Sequence, residues 1–291
     1  MIVSPGVPLA LPAIQAALAA GVEVTGDVAI FADEATVPLV AITGSNGKST
    51  VTALVGHLIA ASGARVGVGG NIGTPCLDLL QTPADYYVLE ISSFQLETVT
   101  GAVDAEVAVL LNLSPDHMNR YENVEHYYRV KEHIYDGCTA AVINRDLLNR
   151  LEGVQAARTA TFGADWQEGD SHFGLRDSAR GIQLMQGSEV LCHGQDLRLR
   201  GRHNYVNVLA AFACVQMLGL DPRQLVQAAC SFPGLPHRCE WVAEHRGISF
   251  INDSKSTNPA STLAAIDGLA GESDGLVLIL GGQGKGADFE I

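Results

Sequence analysis

The segment Ala41 to Thr50, AITGSNGKST, contains Lys48, the first basic side chain of the chain. Of the 18 basic residues only four are lysines, Lys48, Lys131, Lys255 and Lys285; the others are arginines. Gly44, Gly47, Lys48 and Ser49 follow the apolar run LVAIT and open a helical pattern. In that setting glycines let backbone N–H groups face phosphate oxygens, a lysine supplies a point charge, and a serine hydroxyl can bind Mg²⁺. The strict phosphate-loop pattern asks for glycine where the chain has Ile42, so the loop is a shortened TGxxGKS beginning at Gly44. A plain helix N-terminus after a glycine turn is the competing reading.

Two further strand ends bring polar residues to the same edge. DYYVLE places Glu90 just past one apolar run, and LLNLSPDHMNRY places Asn112, Asp116 and His117 past another. A carboxylate and an imidazole there could hold a divalent cation near phosphate oxygens. Singly, Glu90 could instead pair with an arginine and His117 could cap a turn. Lys131 lies in the helical pattern ENVEHYYRVKEHIYDG, where a solvated lysine paired with Glu132 or Glu125 is the plain alternative. Lys48, Lys255 (NDSKSTN) and Lys285 (GGQGKGADF) sit in glycine-rich or strand-end loops, a distribution unlike that of dispersed surface lysines.

The elements that must position these residues alternate. Short β-branched runs (VPLVAIT, ARVGVG, DYYVLEI, AEVAVLLNL) are followed by helical patterns, the signature of a parallel sheet wrapped by helices. Runs that are apolar at successive positions fit strands covered on both faces, and right-handed crossovers then give an open, doubly wound α/β sheet that binds ligands beyond its carboxyl edge. From about residue 151 to 202 the pieces GIQLMQG, EVLCHG and LRLRG predict hairpins at the sheet edge. HNYVNVLAAFACVQMLGLDP predicts a long amphipathic helix ending at Gly219. After the Pro- and Gly-rich SFPGLPHRCEW, a second βαβ series is predicted: a strand at ISFIND, a helix through TLAAIDGLA and a strand at LVLILGG.

Bulk properties narrow the function. The 291 residues are enough for about two domains. A net charge of -14 and a pI near 4.9 repel nucleic acid and anionic lipid, so an anionic ligand must be held by a local site. The six cysteines show neither CxxC pairs nor metal-ligand spacing and read as reduced residues, which fits the cytoplasm. The apolar start lacks a basic n-region and carries Pro8, Pro12 and Gln15, against a signal peptide, and no run reaches the ~18 apolar residues of a transmembrane helix.

Taken in order, TGSNGKST, GGNIGTP, LEISSFQLE, SPDHMNRY, YRVKEHIY, GRHNYVN, GLPHRCE and NDSKSTN resemble the Mur ligase superfamily, specifically its D-glutamate-adding, MurD-type branch. The likeness runs through nearly the whole chain. It implies an ATP-dependent, ADP-forming amide ligation in peptidoglycan synthesis, joining D-glutamate to UDP-N-acetylmuramoyl-L-alanine through an acyl phosphate. Another amide ligase of the superfamily, such as a folylpolyglutamate synthase, and a noncatalytic nucleotide-binding remnant are the alternatives.

By that resemblance Gly44, Ser45, Asn46, Gly47, Lys48, Ser49 and Thr50 cradle the ATP phosphates, and Ser49 and Glu90 hold one Mg²⁺. His117 and a carbamylated Lys131 hold a second; the carbamate makes an oxygen ligand of an ammonium, which arginine could not provide. Asn204 and Asn207 contact the nucleotide, Arg238 the γ-phosphate, and Asp253 the ribose. Lys255, Thr257 and Lys285 handle D-glutamate or the acyl phosphate, and Gly6 and Asn71 contact the UDP-sugar. Asn119 stands where relatives often carry Asp. The expected architecture is the end of a UDP-binding domain (1–36), a P-loop ATPase domain (37–234) and the start of a second, Rossmann-like α/β domain (235–291), a chain shortened at both ends. A cytoplasmic monomer is expected.

Overall fold

The computed structural model describes residues 1–99, 101–151, 153–270 and 275–282. Helices α1 (Pro12–Ala19) and α2 (Asp27–Glu34) precede β1 (Leu39–Thr43), α3 (Lys48–Ala61), β2 (Val66–Gly70), α4 (Cys76–Leu79) and β3 (Tyr86–Glu90). There follow α5 (Ser93–Leu96), β4 (Val107–Leu110), α6 (Val124–Glu132), β5 (Ala140–Asn144) and β6 (Arg158–Phe162). Strands β7 (His172–Ser178), β8 (Gly181–Gln186) and β9 (Glu189–His193) lead to α7 (Arg202–Met217) and α8 (Val226–Ser231). The last described elements are β10 (Glu240–His245), β11 (Ile248–Asn252) and α9 (Pro259–Ala270).

Nine strands form one sheet in the order β2-β3-β1-β4-β5-β6-β7-β8-β9, parallel as far as β7 and antiparallel from β7 to β9. The alternation of side chains along each strand divides the core. Val40 and Ile42 of β1 face a cluster with Leu54, Leu58, Val208 and Phe212 of α3 and α7, whereas Leu39 and Ala41 face one with Phe31, Tyr127 and Ile134. Every residue of β1 is therefore buried, as parallel strands covered on both sides require. β1 has β3 on one side and β4 on the other, so the order reverses there, and the loops after β1 and β4 open a crevice at the carboxyl edge.

Three expectations need correction. α7 is not amphipathic: it is buried from Val208 through Val215, because it packs on α3, α9 and the strands β4 to β8. The segment LRLRG forms no strand; the edge hairpins are β7 to β9, and Leu197 and Leu199 instead pack into the core beneath α7. Residues 276–282 also form no strand, and Val277 and Ile279 are exposed. The neighbouring β10 and β11 pair only with each other among the described residues. α9 and β11 form where expected, while β10, antiparallel to β11 across Arg246 and Gly247, is an addition.

Candidate active site

The phosphate loop is built by backbone geometry that side chains would oppose. Gly44 and Gly47 have φ of +156° and +81°, and a Cβ on Gly47 would lie 2.7 Å from Oδ1 of Asn207. Gly47 precedes α3 and offers no side chain to cap it, so the first N–H groups of a fourteen-residue helix open toward the crevice. The loop is sewn to the one after β4. Ser45 Oγ donates to the Ser114 carbonyl (2.9 Å) and accepts from the Ser114 N–H (2.9 Å), while Asn112 Oδ1 accepts from the Asn46 N–H at 2.8 Å.

Two lysines converge on this loop. Lys48 Nζ donates to the carbonyls of Gly44 (2.8 Å) and Ser45 (3.0 Å), and Lys131 Nζ reaches the same Gly44 carbonyl at 2.9 Å. Lys131 is 1% exposed, and neither lysine has a carboxylate ion pair among the described residues. Burial pushes both amines below the usual lysine range; for Lys131 the effect is large and the positive charge of Lys48 adds to it, while Glu90 and Asp116 oppose it. The solvated-lysine reading of Lys131 fails, because Glu125 and Glu132 both bind Arg150 instead.

Lys131 is aimed inward by α6, whose first turn is capped by Asn123 accepting from the His126 N–H. Tyr127, one turn earlier, presents its ring to Lys131 Nζ (5.0 Å to the centroid) and its hydroxyl to Ser45 Oγ (3.2 Å). His117 lies near the same ring (centroids 6.5 Å apart) in a left-handed backbone conformation with φ of 55°. Its N–H donates to Asp116 Oδ1, and its ring packs on Phe94 at 4.9 Å. Phe94 is fixed by α5, closed by a capping box between Ser92 and Gln95.

Glu90 ends β3, 2% exposed. Its Oε1 accepts from Asn71 Nδ2 at 2.7 Å, whereas the equally buried Oε2 has no hydrogen-bond partner. A carboxylate oxygen with no donor among buried cations costs free energy unless a ligand meets it. The arginine partner considered for Glu90 is absent among the described residues, and Asn71 is engaged by Glu90.

From the far side of the crevice Arg238 Nη2 donates to Ser49 Oγ at 2.8 Å, bringing the segment after residue 234 against the loop. Asn204 and Asn207 lie on the first turns of α7, joined by a 3.3 Å hydrogen bond. Asp253 accepts from the Cys239 N–H (3.0 Å) and from the Ser256 hydroxyl. Lys255 and Thr257 are exposed in the same loop, and Lys285 lies outside the described residues. Gly6 sits in an open turn whose next residue, Val7, gives its carbonyl to Arg120. Sequence reasoning missed Tyr127, Phe94 and Asn258, whose Nδ2 contacts Asn46 Oδ1 and Asp116 Oδ2. Only the capping pattern of SSFQ hinted at one of them.

The Mur ligase middle domain family matches residues 42–215, from the middle of β1 into the last turn of α7. The chain belongs to the Mur ligase family. UDP-N-acetylmuramoylalanine–D-glutamate ligase of Marinobacter nauticus is 48% identical over 291 residues, covering 100% of this chain and 65% of that protein. The enzyme of the same name from Pseudomonas syringae pv. syringae is 49% identical over 290 residues, 99% of this chain and 64% of that protein. The chain thus spans about 65% of the length of the curated relatives it matches. Among solved structures, folylpolyglutamate synthase of Mycobacterium tuberculosis superimposes with a TM-score of 0.65 at 21% identity, covering 85% of this chain and 69% of that one. MurF from Acinetobacter baumannii gives 0.64 at 20% identity, covering 84% and 56%. Both share the Mur ligase fold of the chain. Among the described residues no helix is long and apolar enough to cross a membrane.

Proposed function

We propose that this Mur ligase chain is the catalytic part of an ATP-dependent, ADP-forming ligase that joins D-glutamate to UDP-N-acetylmuramoyl-L-alanine. The observation that carries this reading is Glu90 Oε2, a buried carboxylate oxygen without a partner, in the field of the half-buried Lys48 and the buried Lys131. That donor set fits Mg²⁺ carried in by a triphosphate: Ser49 and Glu90 would hold one ion, and His117 with a carbamylated Lys131 a second. The ions would offset charge on the phosphate oxygens during transfer.

The chain's own groups do the rest. The free N–H groups at the start of α3, with the Gly44 to Thr50 loop, bind the phosphates, and Lys48 releases the Gly44 and Ser45 carbonyls to meet the transferred group. A substrate carboxylate oxygen bonds to the γ-phosphorus as the bridge to ADP breaks. The amine of D-glutamate then bonds to the acyl carbon, phosphate leaves with the C–O electron pair, and the amine loses a proton. Lys131, held as a poorly charged amine by burial, is the form that adds CO₂ through nitrogen and loses a proton to give the carbamate. Arg238 neutralises the terminal phosphate, Asn204 and Asn207 contact the nucleotide, and Asp253 the ribose. Gly6 and Asn71 contact the UDP-sugar and Lys255 and Thr257 the acceptor, a role the family likeness also gives to Lys285, which lies outside the described residues. Residues 1–36, 37–234 and 235–291 are the three domain portions.

Phosphate release from ATP tests the reading. It is expected to require UDP-N-acetylmuramoyl-L-alanine and to yield amide only with D-glutamate, at a low rate because the chain spans part of its relatives' length. Stimulation by a folate substrate with L-glutamate instead, or no acceptor-dependent release at all, would overturn it.

A further inference from the structure

We propose that Asn258 is a positioning residue that latches the segment carrying Lys255 and Thr257 onto the phosphate loop, an inference that rests on the function proposed above. Its carboxamide is fully used. Oδ1 accepts from the Ser261 N–H at 2.8 Å and caps α9, while Nδ2 reaches Asn46 Oδ1 at 3.2 Å and Asp116 Oδ2 at 3.4 Å. Only the oxygen can accept that backbone N–H, so the amide orientation is fixed and both N–H groups face the two acceptors. Ser261 returns the bond, its hydroxyl donating to the Asn258 carbonyl at 2.8 Å.

The two acceptors are placed to report on the site. Asn46 belongs to the loop after β1 and Asp116 to the loop after β4, next to His117, so one side chain spans both lips of the crevice. Capping alone does not explain the residue type, because Asn, Asp and Ser cap helices about equally well. Aspartate at this position would set a second carboxylate against Asp116, and serine would be too short to reach across. Only a carboxamide both caps α9 and donates twice. At 3.2 and 3.4 Å both are long, weak hydrogen bonds. At the other end of the segment Arg238 donates to Ser49 Oγ and Cys239 Sγ lies 3.7 Å from His203 Nε2, so the segment is held at both of its ends.

The test compares Asn258→Ser, Asn258→Asp and Asn258→Ala in the full chain by amide hydrogen exchange without ligand and by steady-state kinetics. Serine keeps the cap and removes the latch, so exchange across 253–258 should rise about tenfold while α9 stays protected, with a similar rise in the KM for D-glutamate and none in that for ATP. Aspartate should exceed serine, and alanine should also fray α9. Wild-type exchange in the serine and aspartate variants, or a change in alanine alone, would reduce Asn258 to a helix cap and overturn the proposal. Should the exchange differences appear while wild type shows no D-glutamate-dependent phosphate release, the latch stands and the proposed function falls.

Discussion

Lys131→Met should make the protein more stable while abolishing its chemistry. The amine is 1% exposed, bonded to the Gly44 carbonyl with a long contact to Thr43 and the Tyr127 ring 5.0 Å away, and it feels the positive charge of Lys48. Burial therefore holds its folded-state pKa well below that of the unfolded chain, 10.5. Between those two values the unfolded chain binds one proton more, so wild-type stability rises with pH by about 1.4 kcal/mol per unit from this group. Below the folded pKa both states are protonated, and the full cost of the buried ammonium is present. Methionine keeps a similar stem and carries no proton, so this part of the slope vanishes and the advantage of the variant widens as pH falls through that window. Urea unfolding of both proteins at several pH values in CO₂-free buffer measures the difference with the amine uncarbamylated. Lys131→Arg is the control: a guanidinium cannot shed its proton, so it should lose about 3–5 kcal/mol at every pH. Parallel pH profiles for wild type and Lys131→Met would refute the reasoning, since the amine would then be as well solvated folded as unfolded.

Three further outcomes are expected. Gly47→Ala, at φ +81° and 2.7 Å from Asn207 Oδ1, should cost about 1–3 kcal/mol in denaturant unfolding and abolish nucleotide binding in a fluorescent-nucleotide titration. Glu90→Gln retains an acceptor for Asn71 and removes an unpartnered charge, so the fold should hold, while Mg²⁺-dependent ATP turnover falls at least about a hundredfold in a metal titration. Arg120 and Glu97 form an ion pair only 10% and 13% exposed, with the Arg120 guanidinium 4.0 Å above the Phe94 ring. Glu97→Gln should therefore cost about 2–4 kcal/mol by urea unfolding, and Arg120→Met in the same protein should recover part of it.

Local pattern carried much of the fold. The apolar runs of β1, β3 and β4 are legible because a strand buried on both faces needs apolar side chains at successive positions. The phosphate loop is legible because only glycine supplies the backbone freedom at positions 44 and 47. The misreadings share one cause. Whether α7 has a solvent face, and whether residues 276–282 pair as a strand, depends on neighbours distant in the chain.

The sequence by itself determined which residue types were available: four lysines among the basic residues, a glycine loop, and carboxylate and imidazole at strand ends. It also determined, through the family likeness, where a metal and a triphosphate were to be expected. Only the tertiary structure decided that Lys131 is buried on the Gly44 carbonyl rather than paired with Glu132, that one oxygen of Glu90 is left without a partner, and that Asn258 bridges both loops. The physical reason is that burial and charge environment are properties of groups brought together across the fold. Lys131 and Gly44 are 87 residues apart, and Asn258 and Asn46 are 212 apart, beyond the reach of any local periodicity.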